Sequence, residues 1–197
     1  KMVFLATYPT ESYFQDRWER HCYYGGLCTV NKENVEKYSN RKNKEGRVYD
    51  VNSLYPSRMK DCLHPYGYGN LCDKPYDEMS KEYKKNYPLF IQEIIIYSLD
   101  VKKNKMAWLQ VKDNPKFNGS EVQKNNIVDN KRVIIKLRLT NVLLDLLFEC
   151  YDIHSYELGG HVGFHGAYNL FKTYIDFWSE IKITQKGAGK NLAKLRL

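Results

Sequence analysis

At 197 residues, with 43% hydrophobic and 27% charged side chains, the chain can bury one core with a smaller insertion, and its composition excludes a disordered polypeptide. Lysine and arginine number 31 against 23 acidic residues, so the net charge of +8 favours a polyanionic partner such as nucleic acid. No apolar stretch reaches the roughly 18 residues of a membrane span, and we predict no membrane partner.

The cysteines and the two ends of the sequence indicate the setting of the protein. The five cysteines include no C-x-x-C pair, which argues against a zinc cage or a disulfide framework. The start of the sequence has no signal-peptide pattern, so we predict a reduced, cytoplasmic location, which for a viral protein is the host cytoplasm. The sequence begins with lysine and ends within an apolar pattern, and we expect a piece of a longer protein.

The predicted elements begin with a helix at residues 10–24 that ends at Gly25 and Gly26. Residues 46–51 (GRVYDV) predict a strand, and residues 53–59 predict a helix that Ser53 caps. Residues 62–88 contain three prolines and several glycines and asparagines, so we predict mostly loop there.

Four strands are predicted in the second half, at residues 89–99, 106–112, 132–139 and 153–158. A charged turn joins the first two strands, which predicts a hairpin. Thr140 is predicted to cap a helix at 141–151, and apolar residues from Leu170 to Ile181 recur every three or four positions, as in a long amphipathic helix. Strands and helices mix without strict alternation, so the predicted fold class is α+β.

A basic ladder follows, in which lysine recurs every four residues, at Lys182, Lys186, Lys190 and Lys194. On one unbroken helix this ladder would stay on one side, but Gly187 and Gly189 interrupt it. We therefore predict two antiparallel helices with a tip near residues 184–189. That arrangement would bring lysines from both arms towards each other; the alternative is a solvated basic face.

Asp50 lies where the strand predicted at 46–51 ends. A carboxylate at a strand end is rigidly placed, and together with the backbone carbonyl of Val51 it can supply two oxygen ligands to Mg²⁺. The alternative is that Asp50 caps the turn that follows. A complete two-metal site needs a second carboxylate, and the sequence has none in a comparable context; Asp152 comes nearest but does not fit.

Four stretches, in this order along the chain, carry a resemblance to a known family. DVNSLYPSRM, residues 50–59, resembles the first polymerase motif of family B DNA polymerases, D-x-x-S-L-Y-P, and is most similar to the protein-primed branch of small bacteriophages and linear plasmids. YYGG, residues 23–26, resembles the motif that joins exonuclease and polymerase modules in this family. HPYGYG, residues 64–69, resembles the turn after the first motif, and residues 169–197 resemble the fingers.

The resemblance implies roles for individual residues. Asp50 and the Val51 carbonyl would bind the catalytic Mg²⁺ ions, two in the complete enzyme, and Tyr55 would lie under the incoming sugar and select deoxynucleotides. The family's nucleotide-contacting lysines match Lys182, Lys190 and Lys194, whereas Lys186 has no counterpart.

The Y-x-G-G resemblance implies that Tyr23, Gly25 and Gly26 contact the template or primer strand. Glycines let a phosphate backbone approach the amide groups closely, and an aromatic ring can stack on a base. The alternative is a helix stop followed by a turn.

The resemblance also implies a domain organisation. Residues 1–61 would hold the exonuclease-to-polymerase linker and the first part of the palm. Residues 62–165 would be an inserted α+β subdomain, the first terminal protein region, and residues 166–197 would be a truncated helical-hairpin fingers segment.

The implied function is DNA-directed DNA polymerisation by two-metal nucleotidyl transfer with protein-primed initiation. The implied partners are template and primer DNA, deoxynucleoside triphosphates and a terminal priming protein. The fragment alone is expected to be inactive, because the family's second metal-binding aspartate would lie after residue 197. The alternative function is a non-catalytic nucleic-acid-binding domain of polymerase-like fold.

Overall fold

The computed structural model describes residues 12–23, 49–51, 53–111, 114, 116, 128 and 134–197. The described residues divide into two compact units. The first unit lies within Lys1–Gly25 and Pro65–Gly166, and the second lies within Gly26–His64 and Ala167–Leu197. No helix in the described part of the chain is both long enough and apolar enough to span a membrane.

Helices and strands are mixed along the chain, which confirms the predicted α+β class. In chain order, the elements are α1 (Tyr13–Arg20), α2 (Leu54–Asp61), β1 (His64–Cys72), a 3₁₀ helix (Tyr76–Glu78), α3 (Lys81–Asn86), β2 (Leu89–Val101), β3 (Ile135–Thr140), α4 (Asn141–Cys150), β4 (Tyr151–Ala167), α5 (Lys172–Thr184) and α6 (Ala188–Arg196).

The four strands form one sheet in the order β1-β4-β2-β3, and β2 runs antiparallel to both of its neighbours. Alternate residues of β2 and β3 point into one core, whose fully or almost fully buried members include Ile94, Ile96, Ile135, Leu137 and Leu139. Helix α4 adds Leu147 to the same core. Each such side chain contributes about 1.5–3 kcal/mol on burial, so this face is a main source of stability.

The predicted hairpin between residues 89–99 and 106–112 is wrong. The partners of β2 are β3 and β4, and the described residues 106–111 form nothing longer than a single bridge. Leu109 and Val111 are nevertheless buried in the sheet core. The Tyr151 hydroxyl accepts hydrogen bonds at 2.9 Å from two backbone N–H groups of this segment, Trp108 and Leu109, and so replaces strand pairing.

The loop predicted at residues 62–88 is also wrong, since it contains β1, the 3₁₀ helix and α3. Strand β1 is at the edge of the sheet, where proline is tolerated, so Pro65 does not prevent pairing. Gly69 is required for close packing: a Cβ there would lie 2.5 Å from the Val162 side chain and 2.7 Å from that of Gln15. The glycines and the proline that favoured a loop therefore fit an edge strand.

Several local predictions are confirmed. Strands β2, β3 and β4 occupy the expected stretches, although β4 continues well past the predicted end at residue 158. Thr140 caps α4, because its hydroxyl accepts a hydrogen bond from the Leu143 backbone N–H at 3.4 Å. The first helix is present as α1, but it starts after the Ser12 cap and ends at Arg20, before the predicted glycine stop.

The second unit contains the predicted helical hairpin. Helix α5 ends at Thr184, α6 begins at Ala188, and Gly187 between them has a φ of +63°, which suits glycine. The Tyr174 hydroxyl, near the start of α5, donates a hydrogen bond of 2.9 Å to the Arg196 carbonyl at the end of α6. The two helices are therefore antiparallel, as the glycines in the lysine ladder predicted.

Candidate active site

The predicted catalytic segment enters α2 from an exposed stretch. Residues 49–51 are described and are not in a strand, so the strand end predicted at Asp50 is wrong for these residues; residues 46–48 lie outside the described part of the chain. A strand is defined by hydrogen bonds to a neighbour, and no described residue supplies such a ladder here. Asp50 is exposed, as are Val51 (61%) and Tyr55 (79%).

Ser53 makes the turn into α2 and has an unusual backbone. Its φ of 52° and ψ of 44° are left-handed, a conformation that costs free energy for a residue with a Cβ and that clusters at functional sites. The predicted helix at 53–59 is present as α2, but the predicted side-chain cap is wrong, since Ser53 makes no cap hydrogen bond. Its hydroxyl instead accepts a hydrogen bond of 2.9 Å from the Lys182 Nζ.

The bond between Ser53 and Lys182 lies at one end of a row of contacts between the α2 region and α5. Further along, Lys60 Nζ lies 2.6 Å from Asp176 Oδ1, and the rings of His64 and Phe171 meet edge to face with centroids 5.2 Å apart. As the residue numbers rise on one side they fall on the other, so α2 and the start of β1 run antiparallel to α5. Lys182 is thereby held beside the segment that carries Asp50 and Tyr55.

Asp176 is the charged centre of that contact. It accepts hydrogen bonds from Lys172 on its own helix and from Lys60 on α2, and these bonds lower the pKa of its carboxyl. The same interaction raises the pKa of Lys60. Both lysines are partly exposed, so these ion pairs add little to the stability of the fold. Their main effect is to orient α2 relative to α5.

Lys190 and Lys194 lie on α6, four residues apart and therefore on one side of the helix. Both are exposed, and neither ammonium bonds to another described residue. Between them, Ala193 is fully buried. Lys186 lies in the short connection between α5 and α6 and is exposed. The hairpin thus presents two unpaired ammonium groups on one arm and the Ser53-bound Lys182 on the other.

A divalent cation at Asp50 would need to take most of its ligands from water or from a bound molecule. The described residues contain no group of three or more histidine, cysteine, aspartate or glutamate side chains arranged to hold a metal. Mg²⁺, however, commonly takes one or two carboxylates, several waters and substrate phosphates as ligands. Asp50, exposed and next to the Val51 carbonyl, can contribute to such a site, whereas an all-protein cage is not formed by these residues.

Of the predicted DNA-contacting residues, the structure describes Tyr23, which lies in the first unit. Tyr23 is 73% exposed and follows α1 directly, while its neighbour Cys22 is only 5% exposed. Gly25 and Gly26 lie outside the described residues.

Two charged interactions were missed by the sequence reasoning. Asp176 appeared only as a polar position of an amphipathic helix, and nothing local indicated its bond to Lys60. Glu93 and Arg138 form a cross-strand pair between β2 and β3, with an Arg138 Nη2 to Glu93 Oε2 distance of 3.1 Å. The sequence could have indicated this pair, because each of the two is a charged residue within a strand of alternating apolar residues.

Comparison with known proteins gives one consistent result. A family model described as DNA polymerase type B, organellar and viral, matches residues 16–197. The DNA polymerase of Bacillus phage Nf is 36% identical over 194 residues, covering 98% of this chain and 32% of that protein. The DNA polymerase of Bacillus phage phi29 is 34% identical over 194 residues, with 98% of this chain and 31% of that protein covered.

Solved structures agree with the sequence comparisons. Phi29 DNA polymerase complexed with primer-template DNA and incoming nucleotide substrates superposes with a TM-score of 0.78 at 34% identity, covering 100% of this chain and 32% of the other. The post-translocation binary complex of phi29 DNA polymerase with primer-template DNA gives a TM-score of 0.77 at 34% identity, covering 99% and 31%. The chain thus spans about a third of the length of the relatives it matches.

Proposed function

Because this chain belongs to the type B DNA polymerases of organelles and viruses, we propose that it works as part of a DNA-directed DNA polymerase that adds deoxynucleotides to a primer. The observation that carries the proposal is the 2.9 Å hydrogen bond from Lys182 to Ser53. It brings a cationic helix to the segment that holds Asp50 and Tyr55, which are the groups needed to bind a nucleotide with its metal.

Asp50 and the Val51 carbonyl are the metal ligands of this proposal, and the metals are two Mg²⁺ ions in the complete enzyme. When bound, such ions neutralise the negative charge on the attacking and leaving oxygens. The protein's own contribution is position. Asp50 precedes α2 by a few residues, and its exposed carboxylate is available to a metal.

The lysines of the hairpin bind the triphosphate. Lys190 and Lys194 are unpaired within the described residues, so binding a phosphate costs them no existing ion pair. Lys182 already has a neutral hydroxyl partner, which a charged phosphate oxygen can replace, since charge-assisted hydrogen bonds are roughly twice as strong as neutral ones. Three cations then offset the charge of the pyrophosphate as it leaves.

Tyr55 supplies sugar selection. Its ring lies in the first turn of α2 and is 79% exposed, so it can pack under a bound sugar. A ring in that position leaves no room for a 2′-hydroxyl, which excludes ribonucleotides.

Protein-primed initiation completes the proposal. Residues 62–165 form the terminal protein region, in which a priming protein and the template are bound, and the first primer is a hydroxyl of that protein. Tyr23, Gly25 and Gly26 contact the template or primer strand. The relatives are encoded by bacteriophages, so the cytoplasmic location predicted for this protein is that of the host cell.

A non-catalytic nucleic-acid-binding domain is the second candidate. It is favoured by two observations on the residues that the structure describes. Asp50 is the single carboxylate in the segment that carries Asp50 and Tyr55, and no metal-binding cluster is present. The two candidates differ in one measurable respect, since a binding domain does not depend on Asp50 for any chemical step.

The test uses the full-length protein that contains this sequence, with primer-template DNA, labelled deoxynucleotides and Mg²⁺. We expect incorporation by the unmodified protein and its loss in Asp50→Ala, with the exposed Asp61→Ala at the end of α2 as the matched control. The isolated 197-residue chain is expected to incorporate nothing. Unchanged incorporation by Asp50→Ala would discard the proposed catalytic site.

A further inference from the structure

Helix α1 is hydrogen-bonded to the sheet near both of its ends. Near its start, the Gln15 side-chain amide donates a hydrogen bond of 2.9 Å to the Gly69 carbonyl of β1. At its end, Arg138 of β3 reaches the Trp18 carbonyl at 3.2 Å and the His21 ring nitrogen Nδ1 at 2.7 Å. These contacts join residues that are 54 to 120 positions apart in the sequence, so they are tertiary and not local.

Arg138 uses most of its hydrogen-bonding capacity in this contact. Its Nε and Nη2 donate to Glu93 Oε2 at 3.2 and 3.1 Å, while Nη1 faces α1. Its guanidinium carbon lies 4.3 Å from the centroid of the Trp18 ring. The side chains of Arg138 and Glu93 are each only 15% exposed, so water competes weakly for these bonds. A planar fork that stacks and donates along its edge cannot be reproduced by lysine.

The position of Arg138 is significant because the last carbonyls of a helix lack intrahelical partners. Trp18 is among the last four residues of α1, and Arg138 satisfies its carbonyl from a distant strand while placing a positive charge at the helix C-terminus. The His21 ring must accept the Arg138 hydrogen bond, and burial, followed by the charges of Arg138 and Arg17, lowers the pKa of His21 and favours that neutral form.

The residues after α1 then alternate in a way that exposes one tyrosine. His21 is held by Arg138, Cys22 is buried, and Tyr23 is 73% exposed. The turn is closed by hydrogen bonds from the Cys22 and Tyr23 backbone N–H groups to the Glu19 and Arg20 carbonyls, at 2.9 and 3.2 Å.

We infer that Arg138 is a positioning residue for Tyr23, through which the inserted sheet fixes the turn that contacts DNA. The inference rests on the proposed function for the DNA contact of Tyr23, but not for the positioning itself. Arg138 acts by holding the Trp18 carbonyl and the His21 ring, and not by touching DNA.

Hydrogen exchange of the full-length protein tests the positioning without DNA. We expect the Cys22 and Tyr23 amides to exchange about tenfold faster in Arg138→Met, and also in the milder Arg138→Lys, while the β2 amides keep their protection. The matched control is Lys136→Met, which removes one positive charge from the same strand and the same Glu93 carboxylate without touching α1. Equal exchange in Arg138→Met and the unmodified protein, or an equal increase in Lys136→Met, would overturn the inference.

A double-mutant cycle tests the link to DNA. The dissociation constant for primer-template DNA, measured by fluorescence anisotropy, is expected to rise about fivefold in Arg138→Met and to show no further rise when Arg138→Met is added to Tyr23→Ala. An additive effect of the two changes would contradict action through Tyr23. If exchange rises as predicted but Tyr23→Ala binds DNA normally, the positioning stands and the proposed DNA contact of Tyr23 is wrong.

Discussion

The two units of the chain are stabilised in different ways. The first unit has a sheet and a helix whose shared core fully buries residues such as Ile94, Ile96, Ile135, Leu139 and Leu147. In the second unit, the helices bury one residue each among those described, namely Pro56, Ile175 and Ala193. Its helices are oriented largely by polar contacts, including Lys182 to Ser53 and Lys60 to Asp176. Stability is therefore concentrated in the sheet, while the proposed chemistry lies on the thinly packed helices.

The largest effect on stability is expected in the sheet. Leu139→Ala should lower the free energy of unfolding by about 2–5 kcal/mol, because Leu139 is fully buried and its truncation leaves a cavity in the core. The control Leu195→Ala lies on α6 at 85% exposure and should change it by less than about 0.5 kcal/mol. Urea denaturation measures both; similar losses would remove the distinction between the units.

The lysines of the second unit should show the opposite behaviour. Lys190→Met is expected to raise the KM for deoxynucleotides in the full-length protein by about 10- to 100-fold, since a hydrogen bond to a charged phosphate is lost. Its unfolding midpoint should not change. Lys186→Met, in the connection between α5 and α6, is the control, and an equal rise in KM for that variant would indicate a diffuse basic face.

Sugar selection gives a smaller and more specific effect. Tyr55→Val should increase ribonucleotide incorporation relative to deoxynucleotide incorporation by about tenfold, because the smaller side chain leaves space for a 2′-hydroxyl. Tyr49→Val removes another exposed tyrosine from the same segment and should leave the ratio unchanged. A constant ratio in Tyr55→Val would remove its proposed role.

The smallest effect is a pH dependence of the first unit. His161 is fully buried; its Nδ1 donates to the Lys74 carbonyl at 2.6 Å and its Nε2 accepts from the Tyr83 hydroxyl at 3.0 Å. Burial lowers the pKa of His161, and burial also raises the pKa of Tyr83 to about 12, so both groups are neutral in the folded state.

Since an unfolded histidine has a pKa of about 6.5, the stability that neutral His161 contributes is complete above that pH and is lost as the pH falls below it towards the lower folded pKa. The free energy of unfolding should therefore fall between about pH 7 and pH 5, and fall less in His161→Gln. A slope that is unaffected by His161→Gln would show that burial of this ring is not its source.

The sequence predicted the local features of the fold better than its long-range pairings. Gly187 and Gly189 indicated the hairpin, and Thr140 indicated a cap, because each acts within a few residues of its position. Apolar alternation identified which residues are buried, but it carries no information about which strand lies alongside, so the partner of β2 was wrong.

The candidate site was predictable only in part for the same reason. The motif around Asp50 and the lysine ladder were visible as patterns. Ser53, however, had two possible partners, a local backbone N–H and a lysine 129 residues away, and its hydroxyl bonds the distant one. The hydrogen bond between Arg138 and His21, which are 117 residues apart, is equally non-local.

The most direct test of the account concerns the Asp50 carboxylate. Electron paramagnetic resonance can measure the affinity of Mn²⁺ for the full-length protein with primer-template DNA and a deoxynucleotide bound. We expect Asp50→Ala to weaken Mn²⁺ binding by at least about tenfold, because one charged oxygen ligand is removed, while Asp61→Ala binds Mn²⁺ normally. Unchanged Mn²⁺ affinity in Asp50→Ala would contradict the assignment of Asp50 as a metal ligand and with it the proposed site.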